Sequence, residues 1–339
     1  MALGEFELIA RYFSGINGSS IRGSSSNNKT TSAIDLSVGD DCALLTPPPG
    51  QQLAISVDTL VADVHFPANG DAYFVAQKAL RCNLSDLAAM GAEPLAFTLA
   101  LSLPESDEAW LSAFSRGLYD CASEFKIPLI GGDTTRNPVT TITIQVIGTL
   151  PSGAALLRSG AKIGDAIYVS GTLGDARAAL DYLSLPLVAL NDKQRLCLKR
   201  YYLPSPRIAL GIALRGIAHA AIDISDGLAA DLGHILERSS LASQHPLGAE
   251  IDLVKLPLSS ALQHHAQGSE FALSGGDDYE LCFTVPQRNK NKIAQVAQSL
   301  SLPLTEIGTI TEGSTLMARN AEGLLQPIEQ SGYKHFSNI

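Results

Sequence analysis

The chain has 339 residues, 45% apolar and 17% charged, with a formal net charge of −10. That is enough for two ordinary domains with real cores, and it excludes a disordered chain. The acidic balance argues against nucleic acid or an anionic membrane as the main partner, and no apolar run approaches the ~18 residues of a membrane span. With Glu5 and Glu7 where a secretory leader carries basic residues, a cytoplasmic protein is expected. The five cysteines include no C-x-x-C pair and mostly have apolar neighbours, so buried, reduced thiols are expected.

In chain order, Ser14 to Ser37 is rich in Gly, Ser and Asn and reads as a loop. Leu53 to Val57 reads as a strand running into Asp58. Ala72 to Met90 has helical spacing and stops at Gly91, with Pro94 just beyond. Leu95 to Leu103 is strand-like, and Asp107 to Phe125 is helical with an acidic first turn. Ile127 to Ile130 is a short apolar strand feeding Gly131-Gly132-Asp133, and Thr140 to Thr149 alternates β-branched residues. Pro151 to Gly164 reads as a connection.

The second half resumes at the strand Ala166 to Ser170. Ser205-Pro206 reads as an N-cap and first helical position. Ala221 to Ile224 is a strand ending at Ser225-Asp226-Gly227, from which a helix runs to Arg238. Glu280 to Val285 is a strand, with a helix over Asn289 to Leu300. The expected architecture is two-domain α+β or α/β, divided into 1–150 and 151–339.

Six motifs place acids at element ends: Gly39-Asp40-Asp41, Ser56-Val57-Asp58, Asn83-Leu84-Ser85-Asp86, Gly131-Gly132-Asp133, Asp223-Ile224-Ser225-Asp226-Gly227 and Gly275-Gly276-Asp277-Asp278. One such motif is ordinary turn chemistry. Six together call for a cation, since converging carboxylates repel and hard divalent ions prefer oxygen. Asp223, inside an apolar strand, is better explained by a buried cation than by an unpaired charge. Mg²⁺ suits scattered single aspartates, and no His/Cys spacing suggests zinc. There is no Gly-Lys dipeptide and no G-x-G, so the P-loop and the dinucleotide fingerprint are both absent. Nucleotide phosphoryl transfer and phosphoester hydrolysis both remain open at this level.

These motifs, in order over nearly the whole chain, together with Leu273-Ser-Gly-Gly-Asp-Asp-Tyr-Glu-Leu and Gly332-Tyr-Lys-His-Phe, resemble the thiamine-monophosphate kinase family; Asn83-Leu-Ser-Asp-Leu-Ala-Ala-Met-Gly-Ala is the most specific stretch. The family sits in a superfamily with aminoimidazole ribonucleotide synthetase. The resemblance implies transfer of the γ-phosphate of ATP onto thiamine monophosphate with several Mg²⁺ ions. It also implies a homodimer that shares a barrel built from the N-terminal sheets, with an α/β C-terminal domain completing the sites. Carried over motif by motif, it implies Asp41, Ser56, Val57 (through its carbonyl), Asp58, Asp86, Asp133, Asp223 and Asp226 as Mg²⁺ ligands. It implies Gly132, Asp133, Arg158 and Ser225 at ATP, and His65, Asp277 and Tyr333 at thiamine phosphate. The family more commonly has glutamate at the position of Asp277. The rival readings are a sister ATP-dependent enzyme of the superfamily, a metal-dependent phosphatase, and a nucleotide-binding regulator without turnover.

Overall fold

The computed structural model describes residues 5–16, 33–38, 41–328 and 332. They form two units, the first of residues 1–87 and 92–153, the second of 88–91 and 154–339.

In the first unit, α1 (Glu5–Tyr12) and the short antiparallel pair β1 (Ile34–Leu36) and β2 (Leu44–Leu45) precede a four-stranded sheet. The sheet holds β3 (Gln51–Val61), β4 (Glu93–Leu103), β5 (Leu129–Arg136) and β6 (Thr141–Pro151), in the order β3-β6-β4-β5. Only β4 and β5 run parallel. Two helices, α2 (Ala72–Ala89) and α3 (Glu108–Phe125), contribute much of the buried surface. Asp107 caps α3, accepting from the N–H of Ala109 at 2.8 Å and of Trp110 at 3.3 Å. Lys126 ends it in a left-handed turn, φ 53°.

One face of the sheet is buried through Ile142, Ile144, Val146, Phe97 and Leu101. Strand alternation leaves the other face open, and on β3 Leu53, Ile55 and Val57 are exposed. Among the described residues this sheet is not closed on itself.

The strands β3 and β5 are longer than the sequence suggests. Asp58 lies inside β3 and Gly131-Gly132-Asp133 inside β5, so neither follows its strand as a loop. For β5 the reason is local. A Cβ on Gly132 would stand 2.0 Å from the Leu99 carbonyl oxygen, so glycine lets β5 continue hard against β4.

The second unit is a seven-stranded sheet in the order β13-β12-β9-β11-β7-β10-β8. Its strands are β7 (Ala166–Ser170), β8 (Ala220–Asp223), β9 (Leu247–Asp252), β10 (Leu281–Val285), β11 (Leu304–Glu312), β12 (Leu316–Arg319) and β13 (Leu325–Pro327). All neighbours are antiparallel except β9 and β12. The helices are α4 (Asp175–Ala179), α5 (Asp192–Tyr202), α6 (Ile208–Leu214), α7 (Leu228–Ser243), α8 (Gly268–Ser274) and α9 (Lys290–Leu300). Alternation along β7 sends Ile167 and Val169 into a cluster with Leu228, Leu232 and Ile235 of α7. Ala166 and Tyr168 enter a second cluster with Leu210 and Leu214 of α6 and Ile293 of α9. The sheet is thus covered on both faces, as a two-domain α/β chain requires.

Helix α6 begins at Ile208, two residues beyond the start expected from Ser205-Pro206, and Arg207 occupies the N-cap position. Its side chain is bound elsewhere, as described below. Of the five cysteines, four are buried and Cys42 is exposed. No described helix is long and apolar enough to cross a membrane.

Candidate active site

In the first unit, the alternation of β3 sends Ser56 and Asp58 to the face opposite Val57. That face meets α2. Asn83 and Asp86 are three residues apart, so they share one side of the helix. Ser56 Oγ donates to Asp86 Oδ2 at 2.5 Å, and the Asp58 N–H donates to Asn83 Oδ1 at 3.1 Å. Asn83 in turn donates to the Ala79 carbonyl at 2.9 Å, which fixes its amide so that the oxygen faces β3. The buried Ser85 hydroxyl has no hydrogen-bond partner among the described atoms. Burial, and then the charge of Asp86, pushes the Asp58 carboxyl up to about 6.

Asp41 and Asp133 line a cavity of about 480 Å³ together with Gly131, Gly132 and Thr134. A more open cleft of about 670 Å³ between α1 and α3 contains none of the expected site residues. His65 Nδ1 accepts the Val61 N–H at 3.0 Å, so the neutral ring carries its proton on Nε2. Val57, 55% exposed, can offer a ligand only its carbonyl.

In the second unit, buried Asp223 ends β8, and Ser225, Asp226 and Gly227 form the turn into α7. A neighbouring loop packs on this turn. Asp277 N–H donates to the Ser225 carbonyl at 2.9 Å, and Tyr279 N–H to the Ile224 carbonyl at 2.8 Å. Gly276 permits the contact, since a Cβ there would stand 2.4 Å from the Ser225 oxygen. Tyr279 donates its hydroxyl to Asp277 Oδ1 at 3.0 Å, and both residues have left-handed backbone, φ 49° and 67°. Arg158 is exposed ahead of β7. Tyr333 lies outside the described residues.

Two features of this unit escaped the sequence reading. The carboxylate of Asp231, one turn into α7, accepts from the N–H groups of Ser225, Asp226 and Gly227, each at 3.1 Å. Burial, then the charge of Asp226, pushes it up to about 7 against those bonds. The second is Glu280, fully buried, which accepts from Ser170 Oγ, from Arg200 Nη2 at 2.6 Å and from Arg207 Nε at 2.6 Å. Beside it, Asp278 is held by the Gly174 N–H, with burial driving its carboxyl well above the usual range. The only sequence signal for either was an acid one turn beyond Asp226-Gly227 and an acid opening an apolar strand.

The donors gathered on both units are carboxylate, hydroxyl and carbonyl oxygens, which suits a hard divalent ion. Asp58 and Asp86, held close with mutual repulsion, fit such a cation. Among the described residues, no three His, Cys, Asp or Glu side chains cluster tightly enough to enclose an ion by themselves.

The raised Asp58 carboxyl carries a stability consequence. Its folded-state value of about 6 lies above the ordinary 3.8, so the folded chain holds this proton more tightly than the unfolded one. Stability of the metal-free protein therefore falls as pH rises from about 4 through 6, by up to ~3 kcal/mol from this group. Urea unfolding of metal-free wild type and Asp58→Asn between pH 4 and 8 checks this. The two curves should diverge through that window, and parallel curves would show that Asp58 is not strained.

Fold and site together define a two-domain protein of the AIR synthase related class. Family models for the N-terminal and C-terminal domains of AIR synthase related proteins match residues 39–150 and 162–319. Within that class the chain belongs to the thiamine-monophosphate kinase family, being 47% identical to the thiamine-monophosphate kinase of Escherichia coli K12 over 99% of both chains. The crystal structure of thiamine-monophosphate kinase from Stenotrophomonas maltophilia K279a matches with TM-score 0.78 and 44% identity, over 85% of this chain and 92% of that one. AaThiL complexed with AMPPCP and TMP matches with TM-score 0.75 and 31% identity, over 86% and 89%.

Proposed function

We propose that this chain transfers the γ-phosphate of ATP directly onto thiamine monophosphate, giving thiamine diphosphate and ADP, as a homodimer in the cytoplasm. The observation that carries the reading is the oxygen-only cluster of Ser56, Asp58 and Asp86, in a chain related to thiamine-monophosphate kinases along almost its whole length.

The acceptor is a phosphate with a second pKa near 6, largely a dianion at neutral pH. It needs no general base to become nucleophilic. What opposes the reaction is repulsion between two anions and the need for in-line alignment, so positioning and charge neutralisation are what the protein must supply. Asp41, Ser56, the Val57 carbonyl, Asp58, Asp86, Asp133, Asp223 and Asp226 are the residues that would hold Mg²⁺. When bound, Mg²⁺ would neutralise charge on the donor and acceptor phosphates. Gly132 and Asp133, on the rigid β5, and Arg158 and Ser225 bind and orient ATP. His65 offers its Nε2–H to the acceptor phosphate. Asp277 would face the thiazolium cation, and the pyrimidine would stack on Tyr333.

The test is a product assay with ATP, Mg²⁺ and thiamine monophosphate, resolving thiamine diphosphate and ADP. Equal amounts of both, abolished by EDTA and by Asp133→Ala, are expected. ADP without thiamine diphosphate would transfer the reading to a sister enzyme of the superfamily. Phosphate release without any nucleotide would transfer it to a phosphatase.

The homodimer reading is supported by the open face of β3, where Ile55 is 59% and Val57 55% exposed on an edge strand. Two such sheets meeting face to face would build the shared barrel. Val57→Glu should then convert a dimer to a monomer in sedimentation, because a charge would be buried at the seam. A wild type that sediments as a monomer would end this part of the reading.

A further inference from the structure

The turn between β8 and α7 presents three consecutive backbone N–H groups, of Ser225, Asp226 and Gly227, at the start of a sixteen-residue helix. In many nucleotide-binding proteins such an array receives a phosphate. Here it is filled from within. A single oxygen of Asp231, Oδ2, takes all three N–H groups at 3.1 Å, and the residue is only 2% exposed. The same residue donates its own N–H to the Gly227 carbonyl at 2.9 Å, so the turn closes on Asp231 in both directions.

The outer side of the turn is fixed as well. The Ser225 carbonyl is taken by Asp277 N–H and the Ile224 carbonyl by Tyr279 N–H, while a Cβ on Gly227 would stand 2.9 Å from the Ser274 backbone. With its N–H groups occupied by Asp231 and two carbonyls by the neighbouring loop, the turn has the Ser225 hydroxyl and the Asp226 carboxylate to offer a ligand.

The geometry points to Asp231 as a positioning residue: an internal carboxyl group that occupies the phosphate-type cradle of α7 and so holds Ser225 and Asp226 ready for metal-bound ATP. This rests on the kinase reading above. It makes the triphosphate a ligand of side chains and ions, and leaves the helix N-terminus out of its binding. Ser225 and Asp226 are the residues the kinase reading assigns to metal-bound ATP, so removal of Asp231 should affect ATP more than thiamine monophosphate.

The experiment compares full-length wild type, Asp231→Ala, Asp231→Asn and Asp231→Glu by steady-state kinetics in each substrate, with circular dichroism as the check on folding. For Asp231→Ala the KM for Mg·ATP is expected to rise by at least tenfold, with the KM for thiamine monophosphate within twofold. Asp231→Asn should return to within about threefold of wild type, because the amide oxygen still accepts the N–H bonds. Should the alanine variant fail to fold, Asp231→Glu takes its place: the longer side chain displaces the turn and should raise the same KM. An unchanged KM for Mg·ATP in a folded variant would overturn the inference, as would an equal rise in both KM values. Wild type that forms no thiamine diphosphate would instead overturn the functional reading itself.

Discussion

Asp86→Asn should lower kcat for thiamine diphosphate formation by about a thousandfold while leaving a folded chain. Asp86 stands where two elements converge. It accepts from Ser56 Oγ at 2.5 Å, and its charge adds to burial in raising Asp58. In metal-free protein that repulsion is a liability, and a divalent ion held by the two carboxylates would turn it into a source of affinity. One unit charge acting on another at ~4 Å contributes roughly 4 kcal/mol at an effective dielectric of ~20. Loss of that much charge stabilisation in the transition state corresponds to about three orders of magnitude in rate. Asparagine keeps the size and an acceptor for Ser56, so packing on α2 is preserved. The same substitution relieves Asp58, so the metal-free variant should be more stable than wild type above pH 6. Initial rates at saturating Mg²⁺, paired with unfolding in EDTA, measure both. A rate within tenfold of wild type would remove Asp86 from the metal site.

What the sequence made legible was local. Ser56 and Val57 were legible on a strand, which the structure extends through Asp58, so alternation separates the two polar side chains from the valine. Asn83 and Asp86 share a helix face by spacing, and Ile224-Ser225-Asp226-Gly227 leaves an apolar strand as a turn. Where the reading fell short, the cause was distant in sequence. Gly132 lets β5 run on because the Leu99 backbone lies against it, and nothing near Gly132 records that. Asp231 was passed over because an acid in a helix's first turn is usually solvated; here it is the turn's own ligand. The strands β9, β12 and β13 are short, and they, like the longer β11, hold their place by pairing across the sheet. Arg207 was hidden for the same reason, since Glu280, its partner, lies 73 positions away.

That distant pairing carries the largest expected effect on stability. Glu280 is 0% exposed, and the two arginines that meet it, Arg200 and Arg207, are 17% and 18% exposed. Desolvation of these charges is already incurred in the fold, and their hydrogen bonds and mutual attraction offset it. Removing one partner keeps the penalty and discards the compensation. Glu280→Ala leaves Arg207 without its carboxylate and Arg200 leaning on Asp175, 4.0 Å away, and it strips Ser170 Oγ of an acceptor. By analogy with other broken buried pairs, the expected loss is about 3–5 kcal/mol. In a unit of this size that corresponds to a fall in Tm of roughly 6–20 °C. The loss should also reach the active site, because the Glu280 carbonyl accepts the Ile224 N–H at 2.8 Å, immediately before the Ser225 turn. Weaker Mg·ATP binding is therefore expected alongside lower stability. The decisive comparison is with Glu280→Met combined with Arg207→Met, which keeps Arg200 beside Asp175. If the burden is stranded charge, this double variant should be more stable than Glu280→Ala despite carrying more changes. If it is less stable, the hydrogen bonds rather than the stranded charges hold this part of the second unit together.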